Sequence, residues 1–200
     1  SKRRQIVRAN PESSLSEGSS EMAGFRIAQV ALVMIVMAGA ARADMTSQQL
    51  ADDTLLFGTG DSVELNAPRD VLAAGSTVVL EGKVAQDPHA VGFDVDVGAA
   101  TGDDLYAFGF SVSVRGPVLG DLTAAGMSLH TSSDAVVAGN SRLAGRTVII
   151  DGPIRGGLAA AGAEVILNAE ISGDVLVSAE KITFGPNAII GGALTYSAPE

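Results

Sequence analysis

Five aspartates recur along this chain at near-regular intervals: Asp70, Asp87, Asp104, Asp121 and Asp174. Carboxylates stacked at a fixed spacing could be bridged by Ca²⁺, a hard cation that takes oxygen ligands. The Gly-Gly-x-Gly-x-Asp repeat of calcium-binding β-rolls is absent, however, and Asn140, Gly157 and Gly192 interrupt the series. The better expectation is an aspartate at a solvated corner whose carboxylate caps its own backbone. The two histidines, His89 and His130, could each act as a general base. Both fall on outward positions, and no protruding loop frames them. Asp94, Asp96, Asp103 and Asp104 form an acidic cluster of the kind in which the paired carboxylates of a glycoside hydrolase would be sought. Such enzymes build their groove from long loops, which this chain lacks. No Gly-x-Ser-x-Gly elbow and no phosphate-binding loop is present. The chain therefore reads as non-enzymatic, with no catalytic residue, metal, cofactor or nucleotide assigned.

What positions these side chains is a repeat. Gly75, Gly92, Gly109, Gly126, Gly145 and Gly162 are separated by 17, 17, 17, 19 and 17 residues. Five residues before each stands an anchor: Asp70, Asp87, Asp104, Asp121, Asn140 or Gly157. Two further units carry Asp174 and Gly192 as anchors, with Ala179 and Ser197 in the glycine column. A fixed short period means one structural unit stacked on itself.

Aligned on the anchor, apolar residues fall at offsets of one and three (Val71 and Ala73), eight and ten (Val78 and Leu80), and fourteen (Val84). The last patch continues as Val118, Ile154 and Ile171, with Ile189 one residue late. Spacing by two within a patch is the strand period, one face in and one face out. Turn residues separate the patches, as at Gly116-Pro117 and Gly152-Pro153. Three short strands closing every 17–18 residues predict an all-β fold: a triangular parallel β-helix of about eight coils over residues 53–197. Left-handed β-helices show strict hexads, and the intervals here wander. The right-handed form is expected, because parallel crossovers take that hand. The glycine column is expected to supply corners with positive φ. The 19-residue step between Gly126 and Gly145 predicts an outward bulge at residues 131–137.

Composition agrees with a narrow core. Aromatics make up 4% of the chain, there is no Trp, and Gly numbers 24. The net charge is −10, and residues 1–43 hold six of the basic residues but only three of the acidic ones, so the remainder carries −13. That excess argues against a nucleic-acid partner, which needs a basic face. Cys is absent, which excludes disulfides and thiolate sites. Residues 22–43 read as a secretory signal peptide or an N-terminal membrane anchor: a basic start, an apolar run over 27–41 and the small-x-small site Ala41-Arg42-Ala43. Residues 1–21 read as a disordered or upstream segment, residues 44–52 as a polar lead-in with one short helical turn, and 198–200 as a tail.

The repeats Asp70-Val-Leu-Ala-Ala-Gly-Ser-Thr-Val-Val-Leu-Glu-Gly, Gly120-Asp-Leu-Thr-Ala-Ala-Gly and Ile171-Ser-Gly-Asp-Val-Leu-Val-Ser-Ala-Glu-Lys-Ile-Thr-Phe-Gly-Pro-Asn-Ala resemble the bactofilins. The likeness covers about residues 53–197. It implies a right-handed β-helix that joins end to end into filaments without nucleotide, often at a membrane. Familiar members are cytoplasmic, whereas this chain carries an export signal, so it is closer to the exported, membrane-associated branch.

The ends of the rod then take the functional weight, because a β-helix leaves open strand edges there. Leu55, Leu56 and Phe57 at one end, and Ile189, Ile190, Leu194 and Tyr196 at the other, are the candidate polymer interface. The expected function is a structural subunit that assembles with itself at the bacterial cell envelope, in contact with membrane or cell-wall components. The alternative is a surface adhesin or carbohydrate-binding module using the outward Tyr106, Phe108 and Phe110.

Overall fold

The computed structural model describes residues 46–50, 52–58 and 62–197, all within one compact unit that spans Ala40–Glu200. The signal segment, residues 1–21 and residues 198–200 lie outside the described residues. Strand β1 (Thr46–Leu50) precedes the first coil, which holds β2 (Asp53–Phe57) and β3 (Val63–Ala67). The second coil is one long strand, β4 (Val71–Val84). The third has β5 (Pro88–Val97) and β6 (Ala100–Thr101), and the fourth has β7 (Leu105–Phe108) and β8 (Ser111–Val114). Then come β9 (Leu122–Thr131), β10 (Ser141–Ile150), β11 (Leu158–Leu167) with β12 (Glu170–Ile171), and β13 (Val175–Phe184) with β14 (Ile189–Ile190). Finally β15 (Leu194–Ser197) begins another turn.

From β2 onward every pairing is parallel and joins a coil to its neighbours. The chain is therefore a β-solenoid of about eight turns, as the period predicts. Each coil runs along a first face, bends at its glycine, runs along a second face and returns across a short third face. The third face is pinned by single bridges through Thr101, Val118, Val137, Ile154 and Ile171. The inward columns are those expected from the sequence. Val71, Leu105 and Leu122 stack on one line, Val78, Val95 and Leu129 on another, and Leu80, Val97 and Ile150 on a third, all buried. Each fully buried Val, Leu or Ile contributes about 1.5–3 kcal/mol. A second inward corner column went unread in the sequence: Ala99, Gly116, Ala135, Gly152 and Ala169. Only small residues fit where two faces of so narrow a prism meet.

The glycine column is present for a reason other than the expected one. Among the described glycines, only Gly58 (φ 131°) and Gly82 (φ 89°) have positive φ. The others are needed because coils approach closely at the bend. A Cβ on Gly126 would lie 2.6 Å from the carbonyl oxygen of Gly109, and one on Gly145 would lie 2.5 Å from that of Gly126. Gly92, Gly109 and Gly162 each meet the preceding glycine's carbonyl in the same way.

Two coils are longer than their neighbours. The bulge expected at residues 131–137 is a tight turn at Ser133-Asp134, both exposed, closed by the Ala135 N–H donating to the Ser132 carbonyl at 3.0 Å. A matching turn at Pro186-Asn187 shifts the last coil by two residues. Val175 pairs with Leu194, so Ala193 rather than Gly192 stands opposite Asp174, and Ser197 lies beside Ser178 rather than in the glycine column. The same shift makes Ile190, not Ile189, the neighbour of Ile171.

Candidate functional site

The aspartate column forms a hydrogen-bond ladder. Each carboxylate caps the next coil's backbone rather than its own, as local turn chemistry would have had it. Asp70 Oδ1 accepts the Asp87 N–H at 3.2 Å, Asp87 that of Asp104 at 2.9 Å, and Asp104 that of Asp121 at 2.7 Å. Asp121 accepts from Asn140 at 2.7 Å, and Asn140 from Gly157 at 2.9 Å. Gly157 has no side chain to continue the ladder, and Asp174 resumes it by accepting the Ala193 N–H at 2.8 Å. The Asn140 N–H holds the Asp121 carboxyl below its ordinary value, with the Arg142 guanidinium helping at 3.0 Å. Burial pushes Asp87 upward, and the neighbouring charges of Asp70, Asp103 and Asp104 add to that against the Asp104 N–H.

The other candidate groups are engaged in contacts along the rod axis. The His89 ring stacks on Tyr106 with centroids 4.8 Å apart and planes 6° off parallel. His130 Nε2 lies 2.9 Å from Asp151 Oδ2, and Asn168 Nδ2 donates to Asp151 Oδ1 at 2.8 Å. Those two bonds, the Asn168 one foremost, draw the Asp151 carboxyl below its ordinary value. In the acidic cluster, Asp96 Oδ1 takes the Arg115 Nε–H at 2.7 Å, and Glu81 accepts from the same guanidinium at 2.5 Å. These contacts raise the Arg115 pKa, the bond to Asp96 foremost. Among the described residues, no group of three or more His, Asp or Glu side chains is placed to hold a metal ion. The Arg115 fork and the Asp151–Asn168 step were missed in the sequence. Asn168 follows Asp151 by 17 residues and could have been found from the period.

The sugar-stacking candidates are partly occupied. Phe110 stacks on Phe93 with centroids 4.8 Å apart and planes 3° off parallel, and Tyr106 stacks on His89. Each ring thus gives one face to its neighbour. Phe108 remains exposed on the first face.

The two ends of the rod differ. At the N-terminal end, β1 folds back antiparallel on β2, pairing Leu50 with Asp53 and Thr46 with Phe57. The lead-in is therefore a strand, not a helical turn. The open edge of β2 offers N–H and C=O groups to the adjacent segment, and a helical turn would leave them unpaired. Leu56 is fully buried in the core, while Leu55 and Phe57 are half-buried on the outward side. Among the described residues, the neighbouring edge strand β3 pairs only with β4 and turns the exposed Glu64 and Asn66 outward.

At the C-terminal end, β15 pairs only with β13, and β14 only with β12, among the described residues. Ile189 is 59% exposed and Tyr196 66% exposed, with Leu194 and Phe184 also open and Ile190 half-buried. Phe184 stands in register with Leu167 of an inward column and is 50% exposed. The N-terminal and C-terminal candidates are thus not brought together. They sit eight rungs apart, about 38 Å at ~4.8 Å per rung.

Compared with models of protein families, with curated proteins and with solved structures, the chain matches none.

Proposed function

We propose that this chain is a non-enzymatic structural subunit, bactofilin-like and exported, whose rods assemble end to end as a scaffold at the bacterial cell envelope. The observation that carries this reading is the C-terminal edge. Leu194, Tyr196, Ile189 and Phe184 expose apolar side chains beside strand edges that lack a second partner among the described residues. An unpaired strand edge is a template for another chain, and added main-chain bonds supply affinity while the side chains supply register. The acidic surface keeps unassembled rods soluble. The adhesin reading has less support, because Tyr106 and Phe110 spend one ring face each on a neighbour in the same chain.

The test is negative-stain electron microscopy of residues 44–200 across salt and protein concentration. Filaments are expected, and Tyr196→Asp is expected to shorten or abolish them. Isolated short rods under every condition would count against the proposal.

A further inference from the structure

The strand that covers the N-terminal edge differs in kind from the coils beneath it. The coils pair in parallel, whereas β1 lies antiparallel on β2. Thr46, Ser47, Gln48 and Gln49 are all exposed, so β1 buries none of these side chains and is held by main-chain bonds. Arg69 adds ion pairs at the connecting turn, 3.8 Å to Asp52 and 3.5 Å to Asp53. Arg69 and Asp52 are exposed, and pairs of that kind contribute little. A short strand pair with no buried face is only marginally stable, so β1 can open while the core stays folded.

What β1 covers is the start of two core columns. Opposite residues of an antiparallel pair share a face, so Ser47 stands beside Leu56 and Gln49 beside Thr54 on the inward side. Thr54 and Leu56 are in register with Val71 and Ala73 of the next coil. The same two columns end at the other end of the rod in Leu194 and Tyr196, in register with Val175 and Val177. One end of each column thus carries a polar side chain from β1, and the other end stands exposed.

We propose that the edge of β2 is the docking site for β15 of a second copy, and that β1 is a strap that leaves this edge before a second copy docks. This inference rests on the end-to-end reading above and names the edge and the step that controls it. In the register that joins successive coils, Leu194 of one copy lies beside Thr54 of the next, Thr195 beside Leu55, Tyr196 beside Leu56 and Ser197 beside Phe57. Leu194 and Tyr196 are then covered, and both columns run on from rod to rod. Docking on β1 instead sets Leu194 and Tyr196 against Gln49 and Ser47 and interrupts the parallel run. The two strands compete for one row of main-chain bonds, five residues of β1 against four of β15. Being tethered to β2, β1 wins at low protein concentration, and β15 gains by mass action as concentration rises. The strap therefore sets a concentration threshold for assembly.

The test locks the strap and then frees it. Gln48 lies opposite Leu55, and opposite residues of an antiparallel pair are close enough for a disulfide. The chain has no Cys, so a full-length chain with Gln48→Cys and Leu55→Cys forms one defined bond. Electron microscopy of the oxidised protein is expected to show isolated rods, with at least about tenfold less filament than the same protein reduced. A second variant loosens the strap without a thiol. Alternate residues of an antiparallel strand bond to the partner, so Ser47→Pro together with Gln48→Pro removes at least one of these bonds. Its filaments are expected after a lag about threefold shorter than the parent's, or at correspondingly lower concentration. Hydrogen exchange on the full-length chain checks opening apart from assembly: β1 amides are expected to exchange about a hundredfold faster than those of β4. Equal filaments from oxidised and reduced protein, or β1 amides as protected as those of β4, would overturn the strap while leaving the end-to-end reading in place. Isolated rods from parent, reduced and proline-bearing chains alike would overturn that reading and the strap with it.

Discussion

Substituting Gly126 separates two explanations of the glycine column. A Cβ there would lie 2.6 Å from the Gly109 carbonyl oxygen and 3.1 Å from a Val112 methyl. The first obstacle is backbone already fixed by the ladder, so it cannot swing aside as a long side chain would. Overpacking of this kind costs up to about 3 kcal/mol. Replacing Gly by Ala returns up to about 1 kcal/mol by restricting the unfolded chain. The net loss for Gly126→Ala is therefore about 2 kcal/mol, which for a chain of this size lowers Tm by about 4–8 °C. Gly126→Asn is the discriminating partner. If the position required left-handed backbone, Asn would be tolerated better than Ala, because its side chain bonds locally there. If close approach of coils is the cause, Asn adds bulk against the same oxygen and is at least as damaging. Circular dichroism melts of both variants, with hydrogen exchange over residues 109–148, read the result. An Ala variant as stable as the parent, or an Asn variant more stable than the Ala variant, would refute the reasoning.

The remaining predictions concern the polar ladder and the interior. Asp104→Ala removes the acceptor of the Asp121 N–H and is expected to cost about 1–2 kcal/mol in denaturant unfolding, with Asp104→Asn, which keeps an acceptor, closer to the parent. Asp121 and Asp151 have carboxyls lowered from an ordinary value of 3.8, so their stabilisation is present above that value and is lost as pH falls through their folded values. Melts in the acid range below about pH 4 are expected to show a steep loss that Asp121→Asn and Asp151→Asn flatten. Asp87 is raised and acts oppositely: its carboxyl opposes folding once ionised, so Asp87→Asn is expected to be least harmful near neutral pH. Ser141 is fully buried with an unpartnered hydroxyl in a column where Leu122 and Leu158 flank it. Ser141→Ala is therefore expected to raise stability by about 1 kcal/mol, measured by thermal melt, because a stranded polar group is removed.

Much of the architecture was legible in the residues. Val71, Val78, Leu80 and Val84 sit inward because a two-residue period within a 17-residue period admits one winding into three faces. The number of coils and the bulge at Ser133-Asp134 follow from counting. Other features were not legible. The glycine column announced a special corner, but a glycine can answer to positive φ or to a close neighbour, and one linear sequence does not say which. Asp104 looked like a local cap because its partner, the Asp121 N–H, is 17 residues away and becomes adjacent only when coils stack at hydrogen-bonding distance. The end of the period was misplaced by one residue because Pro186-Asn187 lengthens a turn without changing any face.

The periodic pattern by itself determined that this chain is a solenoid and which residues of its strands face the interior. Those properties depend on short-range alternation and on a repeat length, and both are written in residue order. Only the tertiary structure decided that β1 folds over one end while Leu194 and Tyr196 stay open at the other, and that Phe93, Phe110 and Met127 form a ridge beside a floor of alanines. Those depend on which strand edge finds a partner and on which side chains from different coils share a surface, contacts between residues distant in the chain.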